Sequence, residues 1–210
     1  MLNCKIIYED RWLLVADKPS GMLTLPFSCE DKNSLLQLLE KKGNLNLFPC
    51  HRLDKETSGL VIFAKDKTTQ KKIMDLFRRR KIKKKYIGVV QGWVEKKRGR
   101  IKNYLFTGLS RRLAITDYRV IWREPEYSLL EIEPLTGRKN QIRIHFKQIG
   151  HPVVGERRFA YAKDYPLTAR RLLLHALELE FEHPENGKRL KLSSPLPQEI
   201  KIFWRREEVR

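Results

Sequence analysis

The stretch His51-Arg52-Leu53-Asp54-Lys55-Glu56-Thr57-Ser58-Gly59-Leu60 places one carboxylate, Asp54, between two cations, Arg52 and Lys55. A polar Thr57-Ser58-Gly59 turn follows, and then an apolar run, Leu60-Val61-Ile62-Phe63-Ala64. Buried strands are often entered through turns of this kind, and catalytic groups often sit on them.

Working outward, residues 5–8 and 12–16 read as two short strands joined by a turn at Glu9-Asp10-Arg11. Lys18-Pro19-Ser20-Gly21 reads as another turn. Ser34 caps a helix over 35–41 that Gly43 ends, and Asp66 caps a second over 67–80. In the second helix Ile73, Leu76 and Phe77 fall at helical spacing, and the last turns are almost all cationic, which suits a helix C-terminus. Strands are expected at 85–93, 114–123 and 128–133, a helix over 137–149, a largely buried strand over 172–181 and a short helix over 198–204. This is an α+β pattern without regular βαβα alternation. No internal repeat, low-complexity linker or domain boundary stands out, so residues 1–210 are expected to form a single catalytic domain.

Composition narrows the partner. Lysine and arginine number 44 against 25 aspartates and glutamates, a net charge of +19, while 41% of residues are hydrophobic. Such a chain folds around a core, yet its self-repulsion favours a polyanionic partner, with nucleic acid foremost. An anionic membrane surface is the weaker candidate, because no basic amphipathic helix carries Trp and Leu on its other face. No window approaches the roughly 20 apolar residues of a membrane span. The start of the chain has no signal-peptide core, so a cytoplasmic protein is expected. Cys4, Cys29 and Cys50 show no CxxC spacing and fit a reducing compartment. Neighbours Cys50 and His51 point to opposite faces of an extended chain and do not make a nucleophile–base pair. The five histidines show no metal-ligand spacing, and no GxGxxG or GxxxxGK[ST] is present, so neither metal nor nucleotide cofactor is expected.

Four stretches, in order, resemble the RluA-type pseudouridine synthases. Lys18-Pro19-Ser20-Gly21 is similar to that family's KP-x-G turn, and His51 to Gly59 to its HRLD-x-x-TSG signature. Lys84-Lys85-Tyr86 resembles its K-x-Y segment, and Leu135-Thr136-Gly137-Arg138-Lys139-Asn140-Gln141-Ile142-Arg143-Ile144-His145 resembles its TGR-T-H-QIR-x-H helix. Leu174-His175-Ala176 looks like its LHA strand. A lone HRLD is a weak signal; the ordered set is a strong one. Lys139 and Asn140 replace the family's Thr-His pair, so no contact of that histidine carries over.

The resemblance implies a mixed, mainly antiparallel sheet with flanking helices and a central catalytic cleft, standing alone without an S4-type RNA-binding domain. It implies isomerisation of uridine to pseudouridine in structured ribosomal or transfer RNA; nothing in the sequence suggests an obligate oligomer, so a monomer is expected. Asp54 is then the catalytic carboxylate, Arg143 its charge partner and Tyr86 the base-stacking group. Arg52 fills the space left by the flipped base, Leu174 packs on the base, and Arg138 joins the substrate-binding set. Chemistry supports these roles: a carboxylate ionised in a pocket that excludes water needs a cation beside it, and an Arg can bond it through two parallel N–H groups. Asp54 would either attack the anomeric carbon or remove a sugar proton. The basic run that ends in Lys83, Lys84 and Lys85 leads into Tyr86 and would hold phosphates beside the flipped nucleotide. The same charge suits a non-catalytic RNA-binding or ribosome-assembly protein, which has no chemical need for Asp54, Tyr86 and Arg143 together.

Overall fold

The computed structural model describes residues 4–28, 33–108, 110–160 and 165–204. Its elements in chain order are β1 (Lys5–Glu9), β2 (Leu13–Lys18), α1 (Leu35–Gly43), β3 (Phe48–Pro49), β4 (Ser58–Ala64), α2 (Lys67–Arg78), β5 (Lys83–Gln91), β6 (Arg98–Thr107), β7 (Ser110–Glu124), β8 (Tyr127–Pro134), α3 (Gln141–Gln148), β9 (Leu174–Glu182), β10 (Arg189–Ser193) and α4 (Gln198–Trp204). The chain divides into two compact units, Met1–Lys83 with Ala176–Ser194, and Lys84–His175 with Pro195–Arg210.

In the first unit Asp10 makes the β1–β2 turn, its Oδ1 accepting from Trp12 N at 2.8 Å and Leu13 N at 2.7 Å. β2 runs antiparallel to β4, from Leu13 opposite Ala64 to Lys18 opposite Gly59. Every residue of β4 is buried, which is why its sequence is a continuous apolar run and does not alternate. β9 lies on the other side of β4, with β10 antiparallel to it. α2, capped by Asp66, lays Ile73 on Leu13, Leu60, Ile62, Leu179 and Phe181 to close this core. Gly59 has φ 113°, and a Cβ there would collide with the Ala176 backbone, so the glycine of the TSG turn is required by both conformation and space.

In the second unit the strand order is β5-β8-β7-β6, with each neighbouring pair antiparallel. α3 packs Ile142 and Phe146 against Val90, Leu130, Ile132, Leu172 and Leu174. Phe203 of α4 meets Tyr127 edge-on at 4.8 Å.

Helix ends and weak strands are where expectation and structure differ. α2 stops at Arg78 because Arg80 turns left-handed at φ 58°, letting Lys81 N bond back to Leu76 O at 2.8 Å. α1 runs through Gly43 and ends on left-handed Asn44. α3 begins at Gln141, four residues late, because Asn140 is left-handed at φ 55°. β3, β6 and β10 were not expected. β6 gives no strand signal, since its large side chains Tyr104 and Phe106 lie on an exposed face and leave little hydrophobic alternation.

Candidate active site

The first unit holds Asp54, Arg52 and Lys83. Asp54 opens a tight turn whose Thr57 N bonds back to Asp54 O at 3.1 Å. Four neighbours fix this turn through its backbone. Thr24 Oγ1 donates to Leu53 O at 3.1 Å and accepts from Leu53 N at 3.2 Å. Gly21 N donates to Lys55 O at 2.9 Å, and Ser20 Oγ donates to Glu56 O at 2.6 Å. Lys18, fully buried, donates its ammonium to Lys55 O at 3.0 Å, Met22 O at 2.7 Å and Pro19 O at 3.0 Å. The Lys18–Gly21 turn is thus a clamp on the loop that carries Asp54, which gives its lysine a role that the sequence left blank.

His51 Nε2 accepts from Ile62 N at 3.0 Å, so its ring proton sits on Nδ1, and the imidazole pins the loop to β4. The neighbouring thiol is inert: burial pushes the Cys50 pKa up to about 12, and its Sγ faces Phe48 O at 3.7 Å. Cys4 and Cys50 are free thiols, and Cys29 lies outside the described residues. Arg52 and Lys83 are exposed, and Asp54 is half-buried.

The second unit holds Lys84, Lys85, Tyr86, Arg138, Arg143 and Leu174. Tyr86 stands on β5 opposite Ile132 and packs against the cluster that contains Leu174. Gly88, two residues on and on the same face, leaves the space into which the tips of Ile132 and Leu174 project. Lys85 pairs with Glu131 at 3.1 Å.

Arg143 lies in the first turn of α3, where the helix dipole disfavours a cation. Glu156 offsets this. Its carboxylate forks onto Arg143, Nε to Oε2 at 2.7 Å and Nη2 to Oε1 at 2.7 Å, with both side chains buried. Asn140 Oδ1 accepts from Arg143 Nη1 at 3.2 Å, so the residue in place of the family's histidine touches the arginine. A guanidinium has five N–H donors, and these three bonds do not exhaust it. The Phe159 ring lies 5.2 Å from the Arg143 guanidinium carbon.

Glu156 is itself built in. Burial alone would raise its pKa; the Arg143 fork and the backbone N–H groups of Arg158 and Phe159 outweigh that and hold it below the ordinary carboxylate range. Gly155, at φ 82°, lies so close to the Arg171 backbone that a Cβ would collide with it, and this sets the approach of Glu156. The sequence reading overlooked Glu156. Its only signal is a lone acid between Val153-Val154-Gly155 and Arg157-Arg158, 13 residues from its partner.

The loop before α3 is wired through Gln141. Its Oε1 accepts from Thr136 Oγ1 at 2.6 Å and Arg138 N at 3.0 Å, and its Nε2 donates to Ile115 O and Thr116 Oγ1, both at 2.9 Å. Arg138 Nε donates to Leu113 O at 3.2 Å. His145 Nδ1 meets Thr116 Oγ1 at 2.9 Å, and burial pushes its pKa down to about 4. In this motif, then, Thr136, Gln141 and His145 set the backbone from which Arg138 and Arg143 project. Among the described residues no cluster of three or more His, Cys, Asp or Glu is placed to hold a metal ion. Nor is any helix among them long and apolar enough to cross a membrane.

The profile of a family described as RNA pseudouridylate synthase matches residues 12–148. The chain is 30% identical to tRNA pseudouridine synthase C of Vibrio parahaemolyticus, over 93% of this chain and 91% of that one. It is 33% identical to the dual-specificity RNA pseudouridine synthase RluA of Pasteurella multocida, over 90% and 92%. Among solved structures, human RNA pseudouridylate synthase domain containing 4 superposes with a TM-score of 0.78 at 24% identity, covering 96% of this chain and 92% of that one. Human RNA pseudouridylate synthase domain containing 1 gives 0.76 at 25% identity, covering 93% and 84%. The matched segment takes in both the Asp54 turn and the Arg143 helix.

Proposed function

This chain belongs to the RNA pseudouridylate synthase family, which isomerises uridine to pseudouridine in RNA, and we propose that its target is a uridine in a transfer- or ribosomal-RNA stem-loop. The reaction breaks the bond from N1 of uracil to the anomeric carbon, turns the base, and joins C5 to that carbon. C5 loses its proton and N1 gains one. No electrons are exchanged with the surroundings.

Asp54 is the proposed catalytic carboxylate, as nucleophile at the anomeric carbon or as base toward a sugar proton. Arg143 is proposed to hold its charge. Tyr86 is proposed to stack on the uracil and to take part in removing the C5 proton. Leu174 would pack on the base, which must leave its stack at a cost of a few kcal/mol. Arg52 would fill the vacated space, while Arg138, Lys83, Lys84 and Lys85 would bind phosphates. The proposed working form is a monomer in the cytoplasm, with residues 1–210 as one catalytic domain.

The observation that carries the assignment of Asp54 is the clamp around its turn. Lys18, Ser20, Gly21 and Thr24 all bond the backbone of residues 53–56, which fixes the carboxylate's point of attachment through the main chain. Pseudouridine mapping at nucleotide resolution tests the reading, on RNA from cells with and without the gene, rescued with wild type or with Asp54→Ala. Sites that vanish on deletion and return only with wild type identify both substrate and carboxylate. Rescue by Asp54→Ala would remove Asp54 from the chemistry, and no lost site would return the protein to an RNA-binding role.

A further inference from the structure

The β6–β7 hairpin has two unlike faces. Its register pairs Lys102 with Ile115, Tyr104 with Leu113 and Phe106 with Arg111, and directly opposite residues share a face. The alternate residues Ile101, Leu105, Ala114 and Thr116 are buried on the α3 side. The outer face carries the aromatics: Tyr104 is 60% exposed and Phe106 68%. The same face of the hairpin carries Arg98, Arg100, Lys102, Arg111 and Arg119 against one carboxylate of its own, Asp117; Glu131 and Glu133 of neighbouring β8 stand opposite Arg119 and Asp117, and Arg119 pairs with Glu131 at 3.3 Å. Arg100 already forks onto that carboxylate at 2.6 and 2.8 Å. Arg111 stands over the Phe106 ring at 4.8 Å.

Two large exposed rings on an edge strand are a liability unless something covers them. The cations around them argue against a second copy of this basic chain and for a polyanion. Flat rings interleaved with cations fit unpaired nucleotides, whose bases stack on the rings while their phosphates meet the cations. Duplex RNA keeps its bases stacked inside and would use the cations alone. We propose that the outer face of the β6–β7 hairpin is a stacking platform for unpaired nucleotides of the RNA substrate. Naming RNA as the polyanion rests on the function proposed above. Arg138 ties the platform to the site, since its Nε donates to the carbonyl of Leu113, the cross-strand partner of Tyr104.

The test compares wild type with the double variant Tyr104→Ala, Phe106→Ala, in the full chain. Both side chains are exposed, so an unchanged Tm is expected and checks folding. The probes are a fluorescent oligouridylate of about twelve nucleotides, an RNA duplex of similar length and an oligoglutamate of similar length. The double variant is expected to lose about tenfold or more in affinity for the oligouridylate and less than about twofold for the duplex, with the salt slope unchanged. Tyr104→Trp is expected to keep oligouridylate binding and to add a tryptophan emission that the oligouridylate quenches. Equal losses on oligouridylate and duplex would reduce the face to a phosphate track. An equal loss on oligoglutamate would make it a surface for acidic protein, and no loss would leave it without a role; each overturns the proposal. Pseudouridine formation by wild type is scored separately. A protein that binds oligouridylate through these rings but makes no pseudouridine would keep the platform and remove the enzymatic reading.

Discussion

In the first unit the Asp54 turn is fixed through its main chain. In the second, Arg143 is fixed through its own side chain. Buried Lys18 reaches three carbonyls, one of them in the turn, and Thr24, Ser20 and Gly21 bond other backbone atoms of that turn. The Lys55 and Glu56 side chains are then left exposed, because only their carbonyls are needed. Arg143 is forked by the Glu156 carboxylate, which three backbone N–H groups of residues 157–159 hold in turn. Many small bonds tolerate the loss of one. A buried ion pair does not, because removing either partner strands the other's charge.

The largest effect should follow from that asymmetry. Glu156→Ala should destabilise the protein by about 3–5 kcal/mol, read as a lower urea midpoint with an unchanged slope. Glu156→Gln keeps the shape without the charge. It should lower turnover more than RNA affinity, since it loosens Arg143 and leaves the phosphate contacts alone. A Glu156→Ala variant as stable as wild type would break the comparison.

Lys18→Met comes next. It takes the ammonium from three carbonyls, of which Lys55 O keeps its bond from Gly21 N, and should cost about 2–3 kcal/mol. A loss greater than that of Glu156→Ala would show that the main-chain clamp is the less tolerant device.

Acidification should tell the two units apart. Burial pushes the pKa of His145 down to about 4 and that of His175 to about 3, and both belong to the second unit. Unfolded, both titrate near about 6.5. The unfolded chain therefore binds these protons first: stability is full above about pH 6.5 and falls as pH drops toward 4 and then 3. The lowered pKa values of Asp10 and Asp66 act in the first unit, where stabilisation is lost only below the ordinary carboxylate range. Hydrogen exchange at pH 5 to 6.5 should show protection falling in β8 and α3 before β2 and β4. Uniform loss would contradict this ordering.

Thr24→Val should have the smallest effect. It removes both bonds to the Leu53 peptide and should cost about 1 kcal/mol with a modest fall in turnover. A complete loss of activity at near-normal stability would mean that the Asp54 turn tolerates no displacement.

Much of this protein was legible in the residues. Ordered motifs placed Asp54, Tyr86 and Arg143 within a family whose profile matches residues 12–148. The α+β class followed from the strand and helix patterns, and α4 came out over the expected residues because Pro195 and Pro197 bound its start. Local chemistry wrote those signals: caps, turns and apolar periods act over a few residues. The rest needed the chain to be folded. Arg143 and Glu156 are 13 residues apart, and Lys18 and Lys55 are 37 apart. No short pattern announces which buried charge will meet which acceptor. The outer face of β6 and β7 was equally hidden, because its aromatics point to solvent and mimic no core. The sequence by itself supplied the residues proposed to carry the chemistry. Tertiary structure decided what holds them, because such partners are chosen by proximity in space and by the cost of leaving a buried charge or carbonyl unmatched.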